Sequence, residues 1–553
     1  MQIAAETYKN LNDRMSHMDK VRAPWWSNWR DISDFFLPRR YPWLLTDKEV
    51  KSAGVRNARL LDSTSITALR TLATGMMNGI TSPARPWFRL RIAGFSEEST
   101  AHAVRVWLDE ASRRMLLVMA ESNFYNGLGI LYLEWCAFGT AAMSIYEDSR
   151  DIIRTFNHAV GEFYLETDAM GRISAFSRKF RLTVEQTVKE FGIEDVSQSV
   201  KADYVAGGVR RFNLVYISHL IERNDQTVPG VRASADWREF YWQIGGDTNL
   251  ALRIGSLDEL PPICPRWETY ADDVYGSSPC MDAAPDVRQL QQMVKRRGQG
   301  LDKLVDPPML MNKKLASQPK STLPGGVTYV PGGELGEGAR PLYQISFPFQ
   351  ELNMDIATTQ ARIRQVLFND LFRMISELET VRSATEIDAR REEKLVLLGP
   401  VLERFESEGL APCIERIFRI CERTGVFPPA PPELENLDIQ IQYVSVLSDA
   451  QRAVGTVSIE RYLQLIGNMA SIFPEALEIP NPEEIIREYA EAIGVSPKLN
   501  RSREEAQDIR DAREQEQQIS QAAEQGQALI GGAEQLSNTQ VGGGQNALQA
   551  LLG

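Results

Sequence analysis

No stretch of this sequence stays apolar for the ~20 residues that a bilayer-spanning helix needs; its longest apolar runs, such as Met115–Ala120, sit inside helical patterns. A membrane association is therefore not expected. Met1–Lys20 lacks a basic segment followed by an apolar stretch, so no secretory signal is expected and synthesis should end in the cytoplasm. Cysteine is scarce: Cys136, Cys264, Cys280, Cys413 and Cys421 are odd in number, widely spaced and form no CxxC pair. That excludes a disulfide framework and a cysteine zinc site, and it predicts reduced, buried thiols. Histidine is scarcer still, with His17, His102, His158 and His219 isolated from one another and no HExxH, so neither a metal nor any other cofactor is expected. Positive charge is in deficit, 61 Lys and Arg against 74 Asp and Glu for a formal net charge of −13. A surface of that sign does not grip phosphates tightly, so any contact with nucleic acid must be loose or local. The phosphate loop of nucleotide hydrolases and the GxSxG elbow of hydrolases are both missing. Gly325, Gly326, Gly332, Gly333, Gly336 and Gly338 do not follow a strand and open a helix, so they read as turn glycines. No enzyme class is indicated.

What is present is a chain of 553 residues, 43% hydrophobic and 24% charged, which is long enough for several packed units and too rich in apolar residues for wholesale disorder. Trp25, Trp29, Ile32 and Phe36 recur at helical spacing and read as core. From Asp62 to Asn78 the positions Ile66, Leu69, Leu72, Ala73, Met76 and Met77 form one helical stripe, with Asp62 or Ser63 to cap it and Gly79 to end it. Residues 81–86 break the chain and Trp87–Arg91 reads as a strand, followed by helices over roughly 99–122 and through Leu133–Phe138 to Gly139. Between Thr140 and Arg253 short apolar runs suggest antiparallel strands turning at Asp168–Gly171. Thr183 and Gln186 match a capping box there, and strand-like runs return at Phe212–Ile217 and Phe240–Ile244. The fold class expected is α+β.

The middle of the chain predicts two long helices around a small knob. The first starts at Pro285 and carries Val287, Leu290, Val294, Leu301 and Leu304 to Asp306-Pro307-Pro308; the second runs from about Glu351 to Phe372. Between them, Val327–Val330 is bracketed by paired glycines and reads as turns around a small sheet. Ser383 and Glu386 fit a capping box that opens a third helical run, in which Gly399-Pro400 and then Pro412 must disrupt the hydrogen-bond ladder before the end near Gly425. Pro428, Pro429, Pro431 and Pro432 mark a linker to a strand-like Ile439–Val446 and to helices within 449–494. The segment 502–553, rich in Gln, Ala and Gly, is expected to start as a charged helix and to end flexible.

Two charge clusters invite a chemical reading. Glu377, Glu379, Glu386, Asp388, Glu392 and Glu393 are the kind of carboxylates that hold magnesium in nucleases, but Arg382, Arg390 and Arg391 are interleaved with them, as on a charge-paired helix. Lys295, Arg296 and Arg297 sit inside the first long helix and read as a solvated or subunit-contact face, with a phosphate contact as the other use.

The segment Arg59–Thr64 through Thr74-Gly75-Met76-Met77-Asn78-Gly79-Ile80-Thr81-Ser82-Pro83-Ala84-Arg85-Pro86-Trp87-Phe88 resembles the N-terminal signature of head-to-tail connector (portal) proteins of short-tailed, podovirus-type bacteriophages. Ser383-Ala384-Thr385-Glu386-Ile387 leading into Leu397-Leu398-Gly399-Pro400-Val401-Leu402 resembles the start of the kinked helix of that family. With the order of elements between them, the resemblance covers about Thr7–Gly494. It implies a phage portal fold with wing, two-helix stem, small clip, kinked channel helix and helical crown. Placed on this chain, residues 1–280 are an α+β wing, 281–305 the first stem helix, 306–349 the clip and 350–372 the second stem helix. Residues 373–382 are the tunnel loop, 383–427 the kinked wing helix, 428–501 the crown and 502–553 the tail. The resemblance further implies a homo-oligomeric ring, usually a dodecamer, at one capsid vertex of the virion. Double-stranded DNA is packaged and ejected through it, and terminase, the major capsid or scaffold protein and tail adaptor proteins dock on it. Ser376, Glu377, Leu378, Glu379, Thr380, Val381 and Arg382 would then line the channel, Lys295, Arg296 and Arg297 would contact DNA or a neighbouring subunit, and Gly399 and Pro400 would kink the helix. Two other classes stay open on the residues alone: an internal virion or scaffold protein without a channel, and a metal-dependent nuclease of the packaging module.

Overall fold

The computed structural model describes residues 5–38, 60–92, 102–224, 231–232, 234–247, 250–305, 309–310, 340–341, 348–372, 398–434, 439–443 and 462–469, with short pieces at 480–482, 484–486, 506–507, 509–513, 515, 540–541 and 545–546. The chain divides into two units, one of Met1–Phe88, Arg113–Phe427 and Tyr443–Arg452, the other of Arg89–Ser112, Pro428–Gln442 and Ala453–Gly553. Helix and sheet are mixed among the described residues, as the α+β reading expects.

In chain order the helices Ala5–Arg22 (α1), Trp26–Phe35 (α2) and Thr64–Ile80 (α3) precede the strand Phe88–Ile92 (β1) and the helices His102–Glu121 (α4) and Phe124–Phe138 (α5). Four strands follow, Ala142–Asp148 (β2), Ile152–His158 (β3), Phe163–Thr167 (β4) and Ile173–Thr183 (β5), then two short helices, Val184–Phe191 (α6) and Gln198–Ala206 (α7). Strands Leu214–Arg223 (β6), Trp237–Gln243 (β7), Arg253–Leu257 (β8) and Pro262–Ile263 (β9) complete two antiparallel sheets, ordered β3-β2-β9 and β4-β5-β6-β7-β8.

The five-stranded sheet is covered on both faces. On one, Tyr8, Leu11, Met15 and Met18 of α1 fall at helical spacing and pack on Ala175, Leu220, Phe240 and Trp242. On the other, Val184, Phe191 and Val200 of α6 and α7 pack on Val215, Ile217 and Tyr241. Each such side chain contributes about 1.5–3 kcal/mol when fully buried. Local chemistry sets the joints. The Asp168 carboxylate accepts the backbone N–H groups of Met170 and Arg172, at 2.9 and 2.8 Å, to close the β4–β5 hairpin. Thr183 and Gln186 exchange the two bonds of a capping box at the start of α6. Gly139 ends α5 with φ +73°, where a Cβ would lie 2.3 Å from the Gly276 carbonyl oxygen.

In the second unit, β1 and the strand Ile439–Tyr443 hydrogen-bond into a two-stranded sheet. Ser112 Oγ accepts the Leu90 N–H at 3.1 Å, and Trp107 Nε1 donates to the Pro428 carbonyl at 3.1 Å.

All five cysteines are free and buried. Burial pushes the thiols of Cys136, Cys264, Cys280 and Cys413 well up and that of Cys421 up to about 12. A thiol-reactive chromophore is therefore expected to label none of them in the native protein at neutral pH and all five after denaturation, counted by absorbance.

Candidate functional site

The longest helix, Pro279–Val305 (α8), begins six residues before the sequence-expected start at Pro285. The cap is Ser278, whose Oγ accepts the Met281 N–H at 3.2 Å, with Pro279 filling the first helical position. Pro285 lies inside the helix, where it offers no N–H to its own turn. At 27 residues α8 is about 40 Å long. The strands Met309–Leu310 (β10) and Arg340–Pro341 (β11) pair antiparallel after it, so the chain that leaves at Leu310 returns beside it at Arg340. Helix Phe349–Val366 (α9) follows. Arg362 reaches Asp286 at 3.0 Å and Arg297 reaches Asn353 at 3.3 Å; the rising index on one helix meets the falling index on the other, so α8 and α9 run antiparallel. Val327–Val330 lies outside the described residues.

The apolar core side chains of α8 lie in its first half. Ala283, Ala284, Val287, Leu290 and Gln291 are buried, whereas Leu301, Leu304 and Val305 are 51%, 49% and 71% exposed and Met354 on α9 is 70% exposed. Lys295, Arg296 and Arg297 are exposed on this half. Bare apolar side chains at one end of a long helix form a surface suited to a contact.

The other end of the pair is tied to α3 by a polar knot. Gln291 Oε1 accepts the N–H groups of Leu61 and Asp62, at 2.8 and 3.0 Å, while its Nε2 donates to the Asp62 carbonyl at 2.9 Å. The Asp62 carboxylate caps α3 through the Thr64 N–H at 2.8 Å and accepts from Gln360 Nε2 of α9 at 2.8 Å. Ser63 holds the N-cap position without a side-chain bond, so it is the Asp62 side chain that satisfies the first N–H of α3, and the same residue joins three helices. Nothing local in the sequence announces Gln291 or Gln360.

The ends of the segment 373–397 are also fixed in this core. Phe368 takes φ +54° to turn the chain out of α9, and Leu371 and Phe372 are buried. Phe372 lies against Gly75 of α3, where a Cβ would meet its ring at 2.2 Å, so this glycine is a contact surface for an aromatic ring. Leu398 is buried, and Phe405 packs on Tyr132 and Trp135 with centroids 4.9 and 4.3 Å away. Gly399 and Pro400 lie in the first described turn of this helix. Five residues of π-helix, Glu406–Leu410, then lead into helix Ala411–Arg423 (α10), and Pro412, which offers no N–H to the preceding turn, accounts for that disruption. Within the π stretch the Glu408 carboxylate takes the buried Arg266 guanidinium as a fork, Nη2 to Oε1 at 2.6 Å and Nε to Oε2 at 3.0 Å.

Ser376, Glu377, Leu378, Glu379, Thr380, Val381 and Arg382 lie outside the described residues, as do the Ser383–Glu386 capping box and the carboxylates Glu386–Glu393. Among the described residues no group of His, Cys, Asp and Glu is arranged to hold a metal ion, and no described helix is long and apolar enough to cross a membrane. His158 and His219 are core residues. Ser144 Oγ lies 2.7 Å from His158 Nε2, and His219 stacks on Tyr241 with its pKa lowered to about 4, chiefly by burial.

Residues 8–500 match the model of a family described as bacteriophage head to tail connecting protein. The chain is 38% identical over 512 residues to the portal protein of Salmonella phage epsilon15, covering 92% of this chain and 91% of that one. It is 35% identical over 494 residues to the probable portal protein of Bordetella phage BPP-1, covering 89% and 88%. Among solved structures, the neck of an empty GTA particle aligns over 78% of this chain and 91% of its own at 11% identity and a TM-score of 0.35, a likeness too loose to carry an argument.

Proposed function

Because the chain belongs to the bacteriophage head to tail connecting protein family, we propose that it is a portal subunit, one copy in a ring at the head-to-tail junction of the virion through which genomic DNA is packaged and ejected. The observation that carries the reading beyond the family is the α8–α9 pair, anchored at one end by Asp62, Gln291 and Gln360 and bare at the other at Leu301, Leu304 and Val305. Such a pair suits a stem in which copies line up side by side. Residues 306–349 form the clip, which takes terminase during packaging and tail adaptors afterwards; residues 1–280 and 383–427 form the wing, and 428–501 the crown on the capsid side. The part is mechanical, without catalysis or cofactor, and assembly with the capsid or scaffold protein takes place in the host cytoplasm.

The net charge of −13 per subunit suits a conduit, because a polyanion slides past a surface that does not hold it. In this reading residues 373–382 are the tunnel loop. Glu377 and Glu379 face the DNA, and Arg382 or Lys295, Arg296 and Arg297 supply a few transient contacts. Gly75 and Phe372 hold the start of the loop. Native mass spectrometry of the assembled protein should give an integer multiple of 62.3 kDa, twelve being the expected multiplier. Charge reversal at Glu377 and Glu379 should impair packaging or DNA retention while leaving that mass unchanged; unaltered packaging and retention would remove both residues from the channel.

A further inference from the structure

A ring made of one kind of subunit needs two unlike, complementary surfaces on each copy, since a head-to-tail contact pairs one patch with a different one. The described part of the first unit carries such a pair. Where β4 begins, β5 is left with one paired side: Arg178 faces Phe163, the Lys179 N–H still reaches the Glu162 carbonyl at 3.1 Å, and from Phe180 to Thr183 β5 pairs with β6 alone among the described residues. Beside this bare stretch lies an open basin of about 1460 Å³ lined by Arg178, Arg181, Phe156, Leu214 and Tyr216. Arg178 has its guanidinium 4.2 Å from the Phe180 ring centroid and 5.5 Å from that of Phe156. Among the described residues no carboxylate pairs with it, and its Nε is buried without a hydrogen-bond partner. The apolar rim is bare, with Phe156, Leu214 and Tyr216 49%, 53% and 38% exposed.

The opposite surface is the loop 268–273. A turn closed by the Asp273 N–H on the Tyr270 carbonyl, 3.0 Å, puts Ala271 at φ +52°, a conformation that costs a non-glycine residue of order 1 kcal/mol. The loop is nonetheless held firmly. Arg266 donates to the carbonyls of Gly171 and Asp273, at 2.7 and 3.4 Å, and Arg404 Nη1 donates to Thr269 Oγ1 at 2.5 Å. What this strained turn presents is Tyr270, 84% exposed, flanked by Glu268, Asp272 and Asp273, none of which has an ion-pair partner among the described residues. Arg266 fastens the loop to the tip of the β4–β5 hairpin at Gly171, whereas Arg178 of the basin lies seven residues along, about 23 Å away at strand rise. The two patches are thus separate, one with a guanidinium and the other with carboxylates that have no ion-pair partner among the described residues, and each offers an aromatic surface.

We propose that the Glu268–Asp273 loop of one copy enters the Arg178 basin of the next, with Tyr270 on the Phe156 and Tyr216 rims and an acidic side chain on the Arg178 guanidinium. Carboxylates of Asp19, Glu147, Asp148, Glu162 and Glu190 also line the basin, which disfavours a phosphate backbone, with its continuous run of negative charge, as the visitor. The proposal rests on the ring-forming reading and is tested on the full chain by mass photometry across a dilution series. Arg178→Glu and Asp272→Arg should each raise the concentration for half-assembly at least 10-fold, and the double variant carrying both should return to within about 3-fold of wild type. Tyr270→Ser, at a position too exposed to support folding, should raise it as well. Circular dichroism melts matching wild type would exclude misfolding as the cause. Single variants that assemble like wild type would overturn the contact and leave the ring intact, as would a double variant with no recovery. Loss of DNA binding with unchanged assembly would reassign the basin to nucleic acid. A wild-type chain that never assembles would overturn the ring-forming reading and this contact together.

Discussion

Gly75→Ala is expected to destabilise the protein by roughly 1–3 kcal/mol, although alanine is the better helix former by about 1 kcal/mol in an open position. Gly75 lies inside α3, and a Cβ there would meet three atoms of the Phe372 ring at 2.2, 2.3 and 2.8 Å. A ring approached at three atoms cannot rotate clear, so the turn that carries Phe372 after α9 must shift, and with it the start of the segment proposed as the tunnel loop. The test lies in the change of sign. In a Phe372→Ala background, itself costly by about 3–5 kcal/mol through the cavity it leaves, Gly75→Ala should cost nothing and should stabilise by up to ~1 kcal/mol through helix propensity. Chemical denaturation of the four members of this cycle reads the coupling directly. Equal effects of Gly75→Ala in both backgrounds would mean that the Phe372 contact is not what requires glycine.

Removing the Glu408 carboxylate should cost more, about 3–5 kcal/mol for Glu408→Ala, because a charged guanidinium is left in the interior with its partner gone. Arg266 has a side chain only 5% exposed, and it spends its Nε, Nη2 and backbone N–H on Glu408. A double variant Arg266→Met with Glu408→Leu, which removes both charges and keeps the volume, should recover much of that loss in the same denaturation assay. The fork also joins the β9–α8 connection to the π stretch Glu406–Leu410, so the single variant should loosen that stretch and α10 first. Faster amide exchange in residues 406–423 would report it.

What the sequence made legible was local. The α3 stripe, the Thr183–Gln186 capping box, the turn at Asp168–Gly171, the stop at Gly139 and the burial of five cysteines each depend on residues within a few positions of one another, where periodicity and cap chemistry act. Helix α1 was missed because its buried stripe is only Tyr8, Leu11, Met15 and Met18, thin and half methionine. The start of α8 was misplaced because Pro285 looked like a first-turn proline, while Ser278-Pro279 carried the same signal six residues earlier. The polar knot and the Gly75–Phe372 contact join residues 229 and 297 positions apart, read from Asp62 with Gln291 and from Gly75 with Phe372. No pattern along the chain predicts such partners, because tertiary packing chooses them. The connector-family signature encloses Asp62 and Gly75, so the resemblance marked these positions while the structure supplies their physical reason: one caps α3 and ties it to two long helices, the other makes room for the ring before the loop.

The central claim is that many copies of this chain close into a channel. Electron microscopy of the purified full-length protein tests it most directly. The account predicts closed rings with a central hole in top view and a narrower stem in side view. Monomers, or open filaments without a hole, would contradict it.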